Sequence, residues 1–224
     1  MSHNNTNTPT AVFIDGNWLY AATRRINKRI DYAKFFNILI NNFGGKTKIY
    51  FYGAINPINK QQARFYISLA KIGYIVHYTK LIKIGTRFVS KGLDVELAVD
   101  AMRILPSLKK FVLVSGDGDF AALLKQVINN GVSVLLISLP FSTGYYLRKT
   151  VGGSFLNLET LISGYKDINK LPTFERGKKK KVLAPGSLYI EKGDYFKSYL
   201  HIRNLMKSAE NSLIIIDPYI DDRI

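Results

Sequence analysis

No cysteine occurs among the 224 residues, which excludes disulfides, thiolate-bound metal and a cysteine nucleophile. That absence fits a reducing compartment, so a cytoplasmic location is the expectation. Long apolar runs are lacking as well. None approaches the ~20 residues that a membrane-spanning helix needs, so no membrane partner is expected. The opening MSHNNTNTPT has neither a basic start nor an apolar stretch, unlike a secretory leader. Two nucleotide-binding signatures are also missing: a glycine-rich loop ending in GK[ST], and GxGxxG after a strand. Enzymes fuelled through those loops are thereby disfavoured. No Ser, Cys or His nucleophile constellation is evident, so no covalent intermediate is expected.

Acidic residues are scarce too: 16 Asp and Glu stand against 32 Lys and Arg, a net charge of +16. Residues 1–165 hold 20 basic and 8 acidic side chains (+12), leaving 12 and 8 (+4) for 166–224. A surplus of this size favours a polyanionic partner, nucleic acid first and an acidic membrane surface second. Basicity alone names no reaction.

What is present is an alternation. Compact β-like runs stand at 11–15, 48–55, 74–79, 111–115 and 132–138, with amphipathic helical patterns at 31–43, 60–72, 93–105 and 119–130. Gly73 and Gly131 sit where helix C-caps belong. The segment 152–158 is a candidate edge strand. Such alternation predicts a mostly parallel sheet with helices on both faces, over residues 10–165. From 166 to 186 the character changes: Pro172, Gly177, the run Lys178–Lys181 and Pro185-Gly186 read as a basic linker. Residues 187–224 form a short C-terminal appendage, an amphipathic stretch near 194–210 followed by the apolar run 213–216. So apolar a strand needs neighbours, so it either joins the first sheet or opens a second domain. It is also a candidate route to a homo-oligomer or a partner chain.

In a parallel α/β sheet, ligands bind beyond the carboxyl ends of the strands. Asp15 follows the first strand directly, and Ser115-Gly116-Asp117-Gly118-Asp119 follows the fourth. Asp94 opens the helical segment LDVELAVDAM, where a carboxylate is favoured by the helix dipole. Carboxylates crowded at one site repel each other unless a cation offsets their charge. Hard, oxygen-liganded cations suit such a set, so Mg²⁺ or Mn²⁺ is expected rather than zinc. Each piece has a plainer reading: Asp15-Gly16-Asn17 as a capped turn, and the Asp-Gly repeat as a turn before a capped helix. Only the conjunction points to a site. Asp100 lies six residues after Asp94, about 120° off its face on an ideal helix, and suits a supporting or a helix-pairing role. Glu96 reads as solvated. His77, in an apolar strand, reads as structural.

The segments VFIDGNW (12–18), KGLDVELAVDAM (91–102) and LVSGDGDFAALL (113–124) resemble, in order, the three signature segments of the NYN domains. The likeness is greatest to the bacterial LabA-like branch of this PIN-like nuclease superfamily, over roughly residues 10–160. It implies a Rossmann-like three-layer α/β/α sandwich, a divalent metal, and hydrolysis of RNA or sometimes DNA. By position, Asp15, Asp94, Asp117 and Asp119 would form the acidic, metal-holding site, with Asn17 and Ser115 as supporting polar groups. Trp18 departs from the family pattern, where a polar residue is common. Residues 211–222 faintly resemble the opening strand of phospholipase D-like domains, but the His-x-Lys pair of that family is absent, and no chemistry is assigned there.

Phosphate contacts would come from Arg24, Arg25, Lys28 and Arg29 after the first motif and from Lys91, extended by Arg148-Lys149 and Lys178–Lys181. A solvated face is the plain alternative for each. Trp18 is the candidate for stacking on a base, or else a core residue. Two functional classes follow. One is a metal-dependent endoribonuclease acting on single-stranded RNA. The other is a module that binds nucleic acid without cutting it.

Overall fold

A computed structural model of the chain describes residues 9–163, apart from 57, 85 and 86. The chain separates into two units, Met1–Lys178 and Lys179–Ile224, and the described residues all belong to the first. The linker and appendage expected at 166–186 and 187–224, with Lys178–Lys181, lie outside them.

Six parallel strands make one sheet: β1 (Thr10–Asp15), β2 (Lys48–Ile55), β3 (Ile75–Lys80), then β6 (Lys110–Val114), β7 (Ser133–Ser138) and β8 (Phe155–Asn157). Between β3 and β6 the chain adds a two-stranded antiparallel hairpin, β4 (Ile82–Ile84) and β5 (Arg87–Val89). The sheet order is β3-β2-β1-β6-β7-β8. Strand order reverses between β1 and β6, and the crevice above such a point is where α/β sheets bind ligands.

Among the described residues seven α-helices flank the strands: α1 (Gly16–Arg25), α2 (Tyr32–Phe43), α3 (Lys60–Ile72), α4 (Leu93–Ile104), α5 (Ala121–Asn129), α6 (Tyr145–Val151) and α7 (Leu158–Ile162). The strands are apolar on both faces because helices cover both. Val12, Ile14, Ile49, Phe51, Val112 and Val114 face Leu19 of α1, Leu39 of α2, Leu69 of α3 and Leu161 of α7. The alternate residues Phe13, Tyr52, Phe111 and Leu113 face Leu97 of α4, Leu124 of α5 and Leu147 of α6. The result is the three-layer α/β/α sandwich expected from the alternation. Phe13 stacks on Tyr50 at 4.8 Å and on Phe111 at 5.0 Å, tying three adjacent strands through one aromatic rung. Among the described residues, no helix is long and apolar enough to cross a membrane.

Several boundaries agree with the sequence pattern to a residue, β2 and α3 among them. Gly73 ends α3 with φ of 121°, which its lack of Cβ makes accessible. The sequence pattern did not anticipate α1, strands β4 and β5 of the hairpin, α6 or α7. The motif residues at 15–17 read as a turn, and α1 begins within that turn. The 119–130 pattern proves to be a 3-10 turn at Gly118–Phe120 followed by α5. The candidate edge strand is β8, three residues long.

Candidate functional site

Asp15 is the last residue of β1 and the N-cap of α1, so one side chain closes a strand and opens a helix. Its Oδ1 accepts the Trp18 amide at 3.0 Å and its Oδ2 accepts the Ser115 hydroxyl at 2.9 Å. The plain capping reading therefore holds for this residue, and its second oxygen reaches the loop that follows β6. Helix α1 can start so close to the sheet only because residue 16 is glycine: a Cβ there would lie 2.5 Å from the Phe51 ring and 2.6 Å from the Tyr52 carbonyl oxygen. Asn17 accepts the Ala54 amide at 3.2 Å, which fastens the start of α1 to the end of β2.

Ser115 follows β6 and is fully buried. Its oxygen also accepts the Asp117 amide at 3.1 Å, and the Asp117 carboxylate accepts the Asp119 amide at 3.0 Å. These local bonds give the Ser-Gly-Asp-Gly-Asp loop its shape and leave one oxygen of Asp117 uncommitted to them. The loop is clamped from outside as well. The Gly144 amide donates to the Gly116 carbonyl at 2.7 Å, and the space beside Gly116 is filled by the Ser142 carbonyl and the Trp18 indole.

Asp94 sits in the first turn of α4. Asp15 and Asp94 both feel acidic neighbours. The Asp15 carboxyl, only 4% exposed, is pushed up to about 6 by burial, against the stabilising bonds from Trp18 and Ser115; Asp94 and Asp117 raise it further. The Asp94 carboxyl is raised first by partial loss of hydration and then by Asp117 and Asp119. Asp94 and Asp117 thus act on Asp15, and Asp117 and Asp119 act on Asp94, from separate elements of the chain. The donor set is all oxygen, as hard divalent ions prefer, and the unrelieved repulsion is what such an ion would offset.

Asp100 does not join this group. It lies seven residues after Leu93, on the buried stripe of α4, and is itself 8% exposed. The stripe of α4 that packs on the sheet runs through Leu93, Leu97, Asp100 and Ala101, and Asp94 lies outside it. Asp100 accepts the Tyr52 hydroxyl at 2.9 Å, pairs with Arg103 at 2.8 Å and approaches His77 at 3.4 Å. Glu96, read as solvated, also meets His77, at 3.3 Å.

The basic candidates divide. Arg25 donates to Ser142 at 3.0 Å, at the rim of the acidic loop. Arg24 lies over the Tyr20 ring, 5.8 Å from its centroid. Lys28 is engaged with Glu159 and Ser163 near α7. Arg29 and Lys91 are exposed. Arg148 lies over Phe155, 3.9 Å from its centroid. Trp18 is half-buried and packs on the core, so its indole walls the loop instead of standing free.

The β7–α6 loop carries residues that the sequence reading passed over. Phe141 is 66% exposed, beside Ser142, whose carbonyl packs against Gly116 and whose hydroxyl accepts from Arg25. The only sequence signal was the turn-like Ser-Thr-Gly after β7, which says nothing of what it touches.

The model of the NYN domain family matches residues 9–159. A curated relative, the low amplitude and bright protein LabA of Synechococcus elongatus, is 25% identical over 176 residues, covering 73% of this chain and 86% of that protein. Among solved structures, a Vibrio parahaemolyticus protein of unknown function superposes with a TM-score of 0.60 at 23% identity. The match covers 72% of this chain and 99% of that one, and shows the shared fold.

Proposed function

Because the chain belongs to the NYN domain family, in the PIN-like nuclease superfamily and on its LabA-like branch, we propose that it is a divalent-metal-dependent nuclease, an endoribonuclease acting on single-stranded RNA. The observation that carries this reading is the buried Asp15 carboxylate at the β1–β6 switch point, bonded to the Ser115 that opens the loop bearing Asp117 and Asp119.

Asp15, Asp94, Asp117 and Asp119 would hold Mg²⁺ or Mn²⁺. Such an ion supplies charge neutralisation at a scissile phosphate and a water of lowered pKa. The protein's own part is positional. Ser115 and the Trp18 amide hold both oxygens of Asp15, and Asp100 serves through the packing of α4, not through contact with the site. Arg25 at the rim, with Arg24, Arg29 and Lys91 further out, would take flanking phosphates. Lys28, engaged with Glu159, is the least available of the set. Exposed Phe141 favours unpaired bases, which have faces to stack on, over a duplex, whose bases do not.

The test is cleavage of end-labelled single- and double-stranded RNA and DNA with Mg²⁺, Mn²⁺ or EDTA. Internal cuts in single-stranded RNA that EDTA stops and that both Asp15→Asn and Asp117→Asn abolish are expected. Salt-sensitive binding without turnover in any metal would favour the non-cleaving module instead.

A further inference from the structure

His77, Tyr52 and Asp15 are register partners on β3, β2 and β1, so one rung runs from the acidic site to the edge of the sheet. Two strands from Asp15, about 10 Å at the usual strand spacing, a second group of ligand-type side chains faces this rung from α4. The ligand atoms of His77, Glu96 and Asp100 all lie within 4.8 Å of one another. We propose that these three residues form a zinc site, distinct from the carboxylate cluster and taking a softer ion.

The distances carry the proposal. His77 Nδ1 stands 3.3 Å from Glu96 Oε1 and 3.4 Å from Asp100 Oδ2. Charge-assisted N–H to carboxylate bonds close to about 2.7–2.9 Å, and a ring nitrogen has one proton to share between two acceptors. Both contacts are longer than that and nearly equal. In a tetrahedron with metal–ligand bonds of roughly 2.0–2.1 Å, neighbouring ligand atoms lie about 3.3–3.4 Å apart. An ion there would bring the imidazole and both carboxylates onto one centre, where a single proton serves one contact.

The surroundings are those of a held ligand set. The His77 ring stacks on Tyr52 at 4.7 Å and 20°, which fixes its plane. The Tyr52 hydroxyl donates to the Asp100 oxygen that faces His77, and Arg103 holds the other oxygen at 2.8 Å. Second partners of this kind orient metal ligands and tune them. The side chains of His77 and Glu96 are 25% and 42% exposed, which leaves an entry path. The imidazole decides the ion: a mixed nitrogen and carboxylate set suits zinc, whereas the four aspartates suit Mg²⁺ or Mn²⁺. Bound there, zinc would pin α4 to the edge strand β3, and α4 is the helix that carries Asp94.

The experiment is calorimetric titration of Zn²⁺ into the EDTA-stripped, dialysed full chain, in excess Mg²⁺ to occupy the carboxylate cluster. One equivalent is expected to bind. His77→Gln and Glu96→Gln should each weaken it by about tenfold or more, and Asp117→Asn should leave it in place. Should the variants fold poorly by circular dichroism, ¹⁵N-histidine spectra of the wild-type chain decide, since coordination at Nδ1 moves the ring-nitrogen shifts of one histidine. No zinc uptake in excess Mg²⁺, unchanged affinity in both variants, histidine shifts that do not move, or loss of zinc in Asp117→Asn alone would each overturn the site.

Discussion

The Ser115 hydroxyl donates to the buried Asp15 carboxylate at 2.9 Å, joining the ends of two adjacent strands that are 100 residues apart in the chain. The same oxygen receives the Asp117 amide. One hydroxyl therefore links the first and third motifs and transmits the shape of the Asp-Gly loop to Asp15.

Ser115→Ala removes that donor and leaves a buried carboxylate short of a partner. A cost of roughly 1.5–3 kcal/mol at neutral pH is expected, as for hydrogen bonds to charged groups. Urea unfolding at pH 7 and at pH 4 measures it. The loss should shrink at the lower pH, where Asp15 is protonated.

Asp15→Asn tests the sign of the linkage. The folded-state carboxyl, at about 6 against an ordinary 3.8, binds its proton more tightly than the unfolded chain does. Its contribution is thus fully present below about pH 4 and is lost as pH rises to about 6. Asparagine escapes that loss, so the variant should be more stable than wild type at pH 7 by roughly 2–3 kcal/mol and level with it at pH 3.5. A melting-temperature difference that stays constant between the two pH values would contradict the burial argument.

Asp94→Asn and Asp117→Asn should each lower single-turnover cleavage by about 100-fold or more, as loss of several kcal/mol of charge stabilisation implies. Circular dichroism should remain that of wild type, since neither side chain is part of the core. Asp117→Asn should also bring the Asp94 carboxyl down by removing one source of repulsion, which ¹³C carboxyl shifts read directly.

Gly116→Ala places a methyl 2.2 Å from the Ser142 carbonyl oxygen and 2.6 Å from the Trp18 indole nitrogen. Backbone has to move, at a cost of about 1–3 kcal/mol, and the move displaces the acidic loop. Gly45→Ala, with nothing within 4 Å of the added methyl, is the control and should unfold as wild type does. Equal midpoints for the two variants would refute the clamp.

Phe141→Ala should leave stability within about 0.5 kcal/mol, because the ring is exposed. Binding of single-stranded RNA to an Asp117→Asn background should weaken by about 1–3 kcal/mol, the usual worth of one stacked base. Duplex binding should not change. Fluorescence anisotropy with both ligands separates the outcomes.

Much of the fold was legible because its signals are local. Strand β2 and helix α3 could be bounded from an apolar run, an amphipathic pattern and Gly73 at the helix end, each acting on neighbours a few residues away. Helix α1 was missed because its starting residues, Asp15-Gly16-Asn17, are turn formers. It is a helix because Gly16 allows it to press on Phe51 and Tyr52. The hairpin β4–β5 and helices α6 and α7 are too short to show a period.

For the site, the sequence by itself determined which carboxylates stand at element ends, since strand length and capping chemistry act within a few residues. Asp15 and Asp117 could be named on that ground. Only the tertiary structure decided which ends meet. The crossover that sets β6 beside β1 brings Ser115 onto Asp15, and the packing stripe of α4 turns Asp100 toward Tyr52 and His77 instead of toward Asp94. Strand order and helix rotation are selected by the burial of both sheet faces at once, a property of the whole core that no window of neighbouring residues contains.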